Sequence, residues 1–365
     1  MSPEYIFMKI KRRKTRTVNI GGVKIGSGHP IAIQSMTKTG TSDIEATVKQ
    51  IEGLVKSGCE IIRVAVKDHK DAAAIADIKK SIDIPLVADI HFDHTLAIEA
   101  ISSGADKIRI NPGNISKEKD IDEVIGSASD KGIPIRIGVN SGSLTEMHSS
   151  LGRSAERMVD SALRYLEYFK KRKFEDLVIS LKASEVSVTR DAYKLMAERC
   201  DHPFHVGVTA AGLPEEGIIK SSMGIGTLLL DGIGDTIRVS LTGDPEKEID
   251  AAKNILSASG VRKFGPEIIA CPTCGRCQVD LVPIVEDLKK RLQSVAHSPQ
   301  PNDKPLLIAL MGCEVNGPGE AKGADIGIAF GKGKGAIFSG GEIVKTVNVA
   351  HAVDELVKIL KSGRG

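Results

Sequence analysis

From Pro30 to about Asp244 the chain repeats one plan, a short β-rich run followed by a helical segment. No other feature limits its fold as strongly. The strand candidates are IAIQSM from Ile31, IIRVAV from Ile61, PLVADIHF from Pro85, KIRIN from Lys107, IPIRIGVN from Ile133, LVISLKA from Leu177, HVGVTA from His205 and DTIRVSL from Asp235, eight in all. The segments between them have helical periodicity. Ser42-x-x-Glu45 reads as a capping box, Ile44, Val48, Ile51 and Val55 share one helical face, and Gly58 stands where a C-cap belongs. Ile121, Val124, Ile125 and Ala128 repeat that logic. Strands alternating with helices make right-handed βαβ units on a parallel sheet. Eight units over residues 30–244 match the size and count of a (β/α)8 TIM barrel, whereas a doubly wound open sheet ordinarily needs fewer.

The flanks do not follow this rhythm. TVNIGGVKIG reads as a hairpin turning at Gly21-Gly22 and is expected to plug the barrel floor. Beyond Gly260 come a cysteine-rich turn and a helix from about Leu281 to Val295. A Pro/Asn-rich loop, strands LLIALM and DIGIAF, a glycine-rich hairpin and a final helix follow. The expected organisation is therefore α/β throughout. Residues 1–29 form a hairpin extension, 30–260 a TIM barrel, and 261–365 a smaller α+β domain carrying the cysteines.

Barrel strands should be rich in Val, Ile and Leu, yet five carry a cation: Arg63, Arg109, Arg136, Lys182 and Arg238. Buried charges need partners. For one arginine, pairing with a carboxylate such as Asp89 would suffice; five at equivalent positions call for an anion from outside. Active sites of this fold lie at the C-terminal ends of the strands, so the five should converge there. Guanidinium forks fit phosphate oxygens bidentately, and lysine adds a mobile point charge. Gln34, Asn111, Asn140, Thr209 and Ser240 stand among them as neutral hydrogen-bonders. The expected ligand is small and multiply anionic, most simply a diphosphate. Asp89 and His91, two apart on one strand, share a face and can orient hydroxyls or move protons; the plain alternative for His91 is a hydrogen-bonded structural histidine.

Composition excludes several classes. The net charge of +3, the absence of Trp, and only four Tyr and eight Phe leave little for stacking or tracking nucleic acid. The basic run from Lys9 to Arg16 precedes no apolar signal core and reads as a solvated face. No stretch approaches the roughly 18 to 20 apolar residues that span a bilayer, so a soluble, cytoplasmic protein is expected. In that setting cysteines imply metal or redox chemistry rather than disulfides. Four of the six lie late in the chain: Cys271, Cys274 and Cys277 in CPTCGRC, and Cys313 in MGCEVNGPGE. Zinc accepts such ligands, and so does an iron–sulfur cluster; any four of Cys271, Cys274, Cys277, Cys313 and Glu320 could serve. Cys59 and Cys200 read as buried fillers.

PIAIQSMTKTGTSD, ADIHFD, RINPGN, GIGDTIRVSLTGDP, CPTCGR and MGCEVNGPGE closely resemble the bacterial 4-hydroxy-3-methylbut-2-enyl diphosphate synthase family of the methylerythritol phosphate route to isoprenoids. The resemblance runs from about residue 10 to residue 350, and the extra domain of the plant-type enzymes has no room here. It implies reductive ring opening and dehydroxylation of 2-C-methyl-D-erythritol 2,4-cyclodiphosphate, with two electrons and two protons entering and water leaving. It implies a [4Fe–4S] cluster on Cys271, Cys274, Cys313 and Glu320, the weak carboxylate ligand leaving one iron accessible to substrate, and Cys277 a bystander. It implies substrate binding by the strand cations with Asn111, Asn140, Thr209 and Ser240, and catalytic roles for Asp89, His91 and Glu320. It further implies a flavodoxin or ferredoxin as electron donor and a head-to-tail homodimer.

One departure stands out. Where the family pattern reads T-E-A-G, this chain reads Thr209-Ala210-Ala211-Gly212, so Ala210 occupies the position of a glutamate able to deliver a proton. Slow turnover is expected if that carboxylate is needed. Two other readings remain: a zinc-stabilised phosphate-binding module without redox activity, and a barrel enzyme using Asp89 and His91 in acid–base chemistry beside a structural metal.

Overall fold

The computed structural model describes residues 10–111, 115, 117–143, 154–293, 306–314, 321 and 323–362. They form two compact units, divided between Arg262 and Lys263.

The first unit opens with a hairpin, β1 (Val18–Ile20) against β2 (Val23–Ile25). Both turn glycines have positive φ, 52° at Gly21 and 98° at Gly22, which an L side chain adopts only under strain. Val18, Ile20 and Ile25 pack against Ala32, Ile61, Val87 and Val178, the first inward residues of four barrel strands. The hairpin is the floor of the barrel.

All eight expected strands form: β3 (Ala32–Met36), β4 (Ile61–Val66), β5 (Leu86–Ile90), β6 (Lys107–Ile110), β7 (Ile135–Asn140), β8 (Leu177–Lys182), β9 (His205–Val206) and β10 (Thr236–Ile237). They pair in parallel in the order β8-β7-β6-β5-β4-β3-β10-β9. An Ile179–Phe204 bridge closes the ring. That seam between β8 and β9 is thin, and Tyr193 reinforces it: its buried hydroxyl accepts from the Leu181 N–H at 3.0 Å and donates to the His205 carbonyl at 2.5 Å.

Helices α1 (Ile44–Ser57), α2 (His69–Ser81), α3 (His94–Ser102), α4 (Glu118–Lys131), α5 (Ser154–Lys171), α6 (Val186–Ala197), α7 (Pro214–Leu230) and α8 (Glu246–Ala258) alternate with the strands. Two local expectations are corrected. The N-cap of α1 is Asp43, which accepts from the Ala46 N–H, while Ser42 donates its own N–H to Asp71. The buried face of α1 is Thr47, Ile51 and Leu54, and Val55 is exposed. Gly58 does close the helix in the left-handed region, and Ile121, Val124, Ile125 and Ala128 are buried as expected.

The basic N-terminal run is also corrected, because its described arginines are not a solvated face. Arg12 pairs with buried Asp235 at 2.8 Å. Arg13 donates to the Cys200 and His202 carbonyls and stacks 3.9 Å from the Phe204 ring centroid. Arg16 bonds Asp201 and Glu175. The run is a strap fastened to the β9 and β10 end of the barrel.

The second unit holds β11 (Glu267–Ala270), α9 (Leu281–Gln293), β12 (Leu307–Met311), β13 (Ile326–Gly331), β14 (Lys334–Ser339), β15 (Glu342–Asn348) and α10 (Ala352–Ser362). The sheet runs β11-β12-β13-β14-β15, parallel over its first three strands and antiparallel after them. Leu281, Leu288, Leu356 and Val357 of the helices bury its face with Ile308, Ile328 and Phe330. No helix among the described residues is long and apolar enough to cross a membrane.

Candidate active site

Residues two apart on a strand face the same way, so alternate barrel positions point inward. On β6 these are Lys107 and Arg109, on β7 Arg136, Gly138 and Asn140, and on β8 Ser180 and Lys182. The upper of these, Arg109, Arg136, Asn140, Ser180 and Lys182, converge with residues after β9 and β10 on a cavity of about 160 Å3. Its lining is Arg63, Asp89, His91, Arg109, Arg136, Asn140, Ser180, Lys182, Thr209, Arg238 and Ser240. Every cation singled out from the strands reaches it. Asn111 is buried after β6 and Gln34 is buried within β3, and neither lines the cavity. Ser180 went unnoticed in the sequence, although its place two residues before Lys182 puts it on the inward face. A roomier groove of about 720 Å3 beside α5 and α6 is an open cleft of mixed charge, lined by Glu156, Glu185, Arg190, Asp191 and Lys194 among others. It gathers no like-charged set for one ligand.

Asp89 is the single carboxylate in the cavity lining. It accepts from Arg109 Nη1 at 3.0 Å, and it stands 3.6 Å from Arg63 Nε and 3.7 Å from His91 Nε2. Burial opposes its ionisation, but the Arg63, His91 and Arg109 neighbours outweigh burial and hold it well below the usual carboxylate range. Arg109 Nη1 also lies 3.2 Å from His91 Nε2. His91 is half exposed, at 48%, so its ring can face a ligand. Arg238 is steadied by the buried Glu248, 3.6 Å away, which also accepts from the Leu241 N–H.

The remaining cations lack such support. Arg136 is 2% exposed, and its Nε and Nη1 find no hydrogen-bond partner among the described residues. Burial pulls Arg136 and Lys182 well below their ordinary ranges, and neighbouring guanidinium groups add to the effect. A guanidinium keeps its proton regardless, so this is stored repulsion that an anion would relieve. Glycines leave the space the long side chains need: a Cβ at Gly138 would lie 2.6 Å from Arg109 Nε, and one at Gly207 would lie 2.8 Å from Lys182 Nζ.

Thr209 lines the cavity, and Ala210 beside it is exposed, with φ at 50°. The backbone there is already left-handed for a residue with a Cβ.

The cysteines gather in the second unit. Cys271 directly follows β11 and Cys313 lies two residues past β12; these strands are parallel neighbours, with Ala270 opposite Leu310. The Gly312 N–H donates to Cys271 Sγ at 3.1 Å, a bond of the kind that tunes cluster thiolates. A Cβ at Gly312 would collide with Cys277 Sγ and lie 3.4 Å from Cys271 Sγ, so the backbone is pressed against both sulfurs. Cys313 is buried, Cys274 exposed, and Cys271 and Cys277 half-buried. Glu320 lies outside the described residues, and among those described no group of three or more ligating side chains is closed around one point. Thiols on adjacent strand ends with a close glycine fit a sulfur-held cofactor. Cys59 is buried, and its thiol is pushed up to about 12 by that burial, so it is inert.

Two family models cover the chain: the GcpE TIM-barrel domain over residues 15–253 and the GcpE protein C-terminal domain over residues 267–362. The chain belongs to the GcpE family. GcpE-family relatives include the 4-hydroxy-3-methylbut-2-en-1-yl diphosphate synthase (flavodoxin) of Caldanaerobacter subterraneus subsp. tengcongensis, 53% identical over 96% of this chain and 97% of the relative. The proteins of that name from Thermodesulfovibrio yellowstonii and Clostridium perfringens are 50% and 49% identical, over 96% and 97% of this chain and 99% and 100% of theirs. Among solved structures, the dihydropteroate synthase of Stenotrophomonas maltophilia matches 68% of this chain and 100% of its own, with a TM-score of 0.50 at 13% identity. That likeness concerns the barrel fold alone.

Proposed function

We propose that this GcpE-family chain is an iron–sulfur oxidoreductase that converts 2-C-methyl-D-erythritol 2,4-cyclodiphosphate to 4-hydroxy-3-methylbut-2-enyl diphosphate, with flavodoxin as electron donor. The observation that carries it is the barrel cavity, where four guanidinium groups and one ammonium surround a single carboxylate in a chain half identical to synthases of that name. The reaction opens one carbon–oxygen bond of the cyclic diphosphate and expels one hydroxyl as water. Counted on the neutral acids, two electrons and two protons enter.

Arg63, Arg109, Arg136, Lys182 and Arg238 hold the phosphate oxygens, with Asn140, Thr209 and Ser240 as neutral donors and Asn111 supporting them from behind. Asp89 stays ionised, so it orients Arg109 and accepts from a substrate hydroxyl rather than giving up a proton. His91, open to solvent on one side, is the group in the lining suited to proton delivery. An iron–sulfur group on Cys271, Cys274, Cys313 and Glu320, of [4Fe–4S] type, supplies the electrons when bound. Glu320 would be the single carboxylate among those ligands, which is the catalytic role the family resemblance gives it. We read residues 1–29, 30–260 and 261–365 as extension, substrate barrel and cluster domain. The subunits pair as a head-to-tail homodimer, with one subunit's barrel served by its partner's cysteines.

The deciding experiment is anaerobic purification followed by measurement of iron, zinc, acid-labile sulfide and turnover with reduced flavodoxin. About four irons and four sulfides per chain with reductant-dependent conversion are expected. Zinc without sulfide would sink the reductive reading, and conversion without reductant would favour acid–base chemistry. Mixing a Cys274→Ser chain with an Arg136→Met chain should restore part of the activity in the dimer.

A further inference from the structure

Beneath the cavity lies a cation that the proposed reaction does not use. Lys107 begins β6 and points into the barrel two residues before Arg109, one layer of about 7 Å nearer the floor. Its register partner is Val87, a member of the apolar floor cluster, whereas Arg109 is level with Asp89 and Arg136. The side chain has no measurable exposure, and its Nζ finds no hydrogen-bond partner among the described residues. The charged and titratable groups facing it are Arg63 from β4, Arg136 from β7 and His205 from β9. Apart from His205, all are cations. Asp89 is already shared among Arg109, Arg63 and His91.

Charge counting makes this position informative. The lining holds Arg63, Arg109, Arg136, Arg238 and Lys182 against Asp89, with Glu248 behind Arg238, an excess of three positive charges before Lys107 is counted. The cyclic diphosphate brings a dianion, and ring opening leaves a trianion. The guanidinium groups cannot shed protons. Among the cations only the two lysines can adjust, and Lys182 touches the cavity whereas Lys107 does not.

We propose that Lys107 is a proton-exchanging counter-charge for the site, neutral while the barrel is empty and protonated when the diphosphate seats above it. Its placement is that of a positioning residue, acting on the ligand through the Arg63 and Arg136 layer. Burial, then Arg136 and Arg63, hold the ammonium well below its ordinary range, and a bound anion offsets the last two causes. Because the group is more basic in the complex than in the empty protein, affinity is greatest at low pH. It weakens as pH rises through the window between the two values. The additional negative charge unmasked by ring opening then meets a cation already in place. The proposal rests on the barrel cavity being the diphosphate site.

The test is calorimetric titration of the oxidised holoenzyme with the cyclic diphosphate, without reductant, in two buffers of different ionisation heat. Both ring phosphates are strong acids, so the ligand neither takes nor gives protons near neutrality. At about pH 8.5 the native protein should take up roughly one proton per site more than Lys107→Met. The native dissociation constant should rise with pH in that window about tenfold per unit more steeply than the variant's. Contributions from Lys182 and His91 are common to both proteins and cancel in the difference. Equal uptake by the two proteins, or a flat native pH profile, would overturn the proposal; should Lys107→Met fold poorly, Lys107→Arg, whose charge does not titrate, gives the same difference. Arg136→Met reports separately on the cavity: if it binds as tightly as the native protein, the diphosphate reading itself fails.

Discussion

Arginines at the two ends of the barrel have opposite surroundings. At the floor end, Arg12, Arg13 and Arg16 spend their guanidinium groups on the protein: Asp235, the Cys200 and His202 carbonyls, the Phe204 ring, Asp201 and Glu175. At the mouth, Arg136 is more deeply buried yet leaves Nε and Nη1 without a partner among the described residues, and Arg63 and Arg109 act on it more strongly than Asp89 does. A satisfied buried charge contributes to the fold. An unsatisfied one costs stability and is retained for what arrives later. Residue type alone does not separate the two cases; the supply of acceptors does.

The sharpest way to test the mouth is to add the group that the family pattern has there. Ala210→Glu should raise kcat by about 10²–10⁴-fold, the usual worth of a placed proton donor, with little change in KM or melting temperature. The backbone strain at 210 is already present with alanine, so folding is not the obstacle. No gain in steady-state rate would show that this chain needs no carboxylate at 210. Next in size, Arg136→Met should cost about a hundredfold in kcat/KM, read by the same assay, while the empty protein melts no lower. A lowered melting point would erase the distinction between the two ends.

The floor should behave inversely. Asp235→Ala removes the partner of the half-buried Arg12 and the acceptor for the Phe204 N–H, and should cost about 1–3 kcal/mol in denaturant unfolding, with kcat/KM at moderate temperature unchanged. His202 gives an effect that is absent at neutral pH and appears only as the solution is acidified. Burial, then Arg16, lower it to about 4, so the folded state carries it neutral while the unfolded chain protonates it near 6.5. Its contribution is full above about pH 6.5 and lost as pH falls toward about 4, at up to about 1.4 kcal/mol per unit. His202→Gln should flatten that limb of the stability profile.

Much of this was legible in the sequence. Strand order, the floor hairpin and the convergence of the strand cations follow from alternation and from the geometry of parallel barrels. What escaped depended on neighbours far apart in the chain. The strap formed by Arg12, Arg13 and Arg16 looked like a solvated run because its partners lie about 160–220 positions later. Glu248 sits on a helix, and only the folded barrel shows that it steadies Arg238. The edge strand β11 is four residues long and partly exposed, too short and too weakly alternating to declare itself before the cysteines. Lys107 opened the KIRIN run without being counted among the strand cations, because only its register against the floor shows where it lies.

The thin seam between β8 and β9 bears on synthesis. Because β3 pairs with β10, the cylinder cannot be completed until residue 237 has left the ribosome, so β3 to β8 must wait as an open sheet with two bare edges. Such a sheet invites association with its neighbours. Here its future inner face carries Arg63, Lys107, Arg109, Arg136 and Lys182, so two nascent copies meet as like charges. The residues that later grip the ligand would thus act as a chaperone encoded in the chain, and a fragment ending before His205 should stay dispersed at low salt and aggregate as salt screens that repulsion.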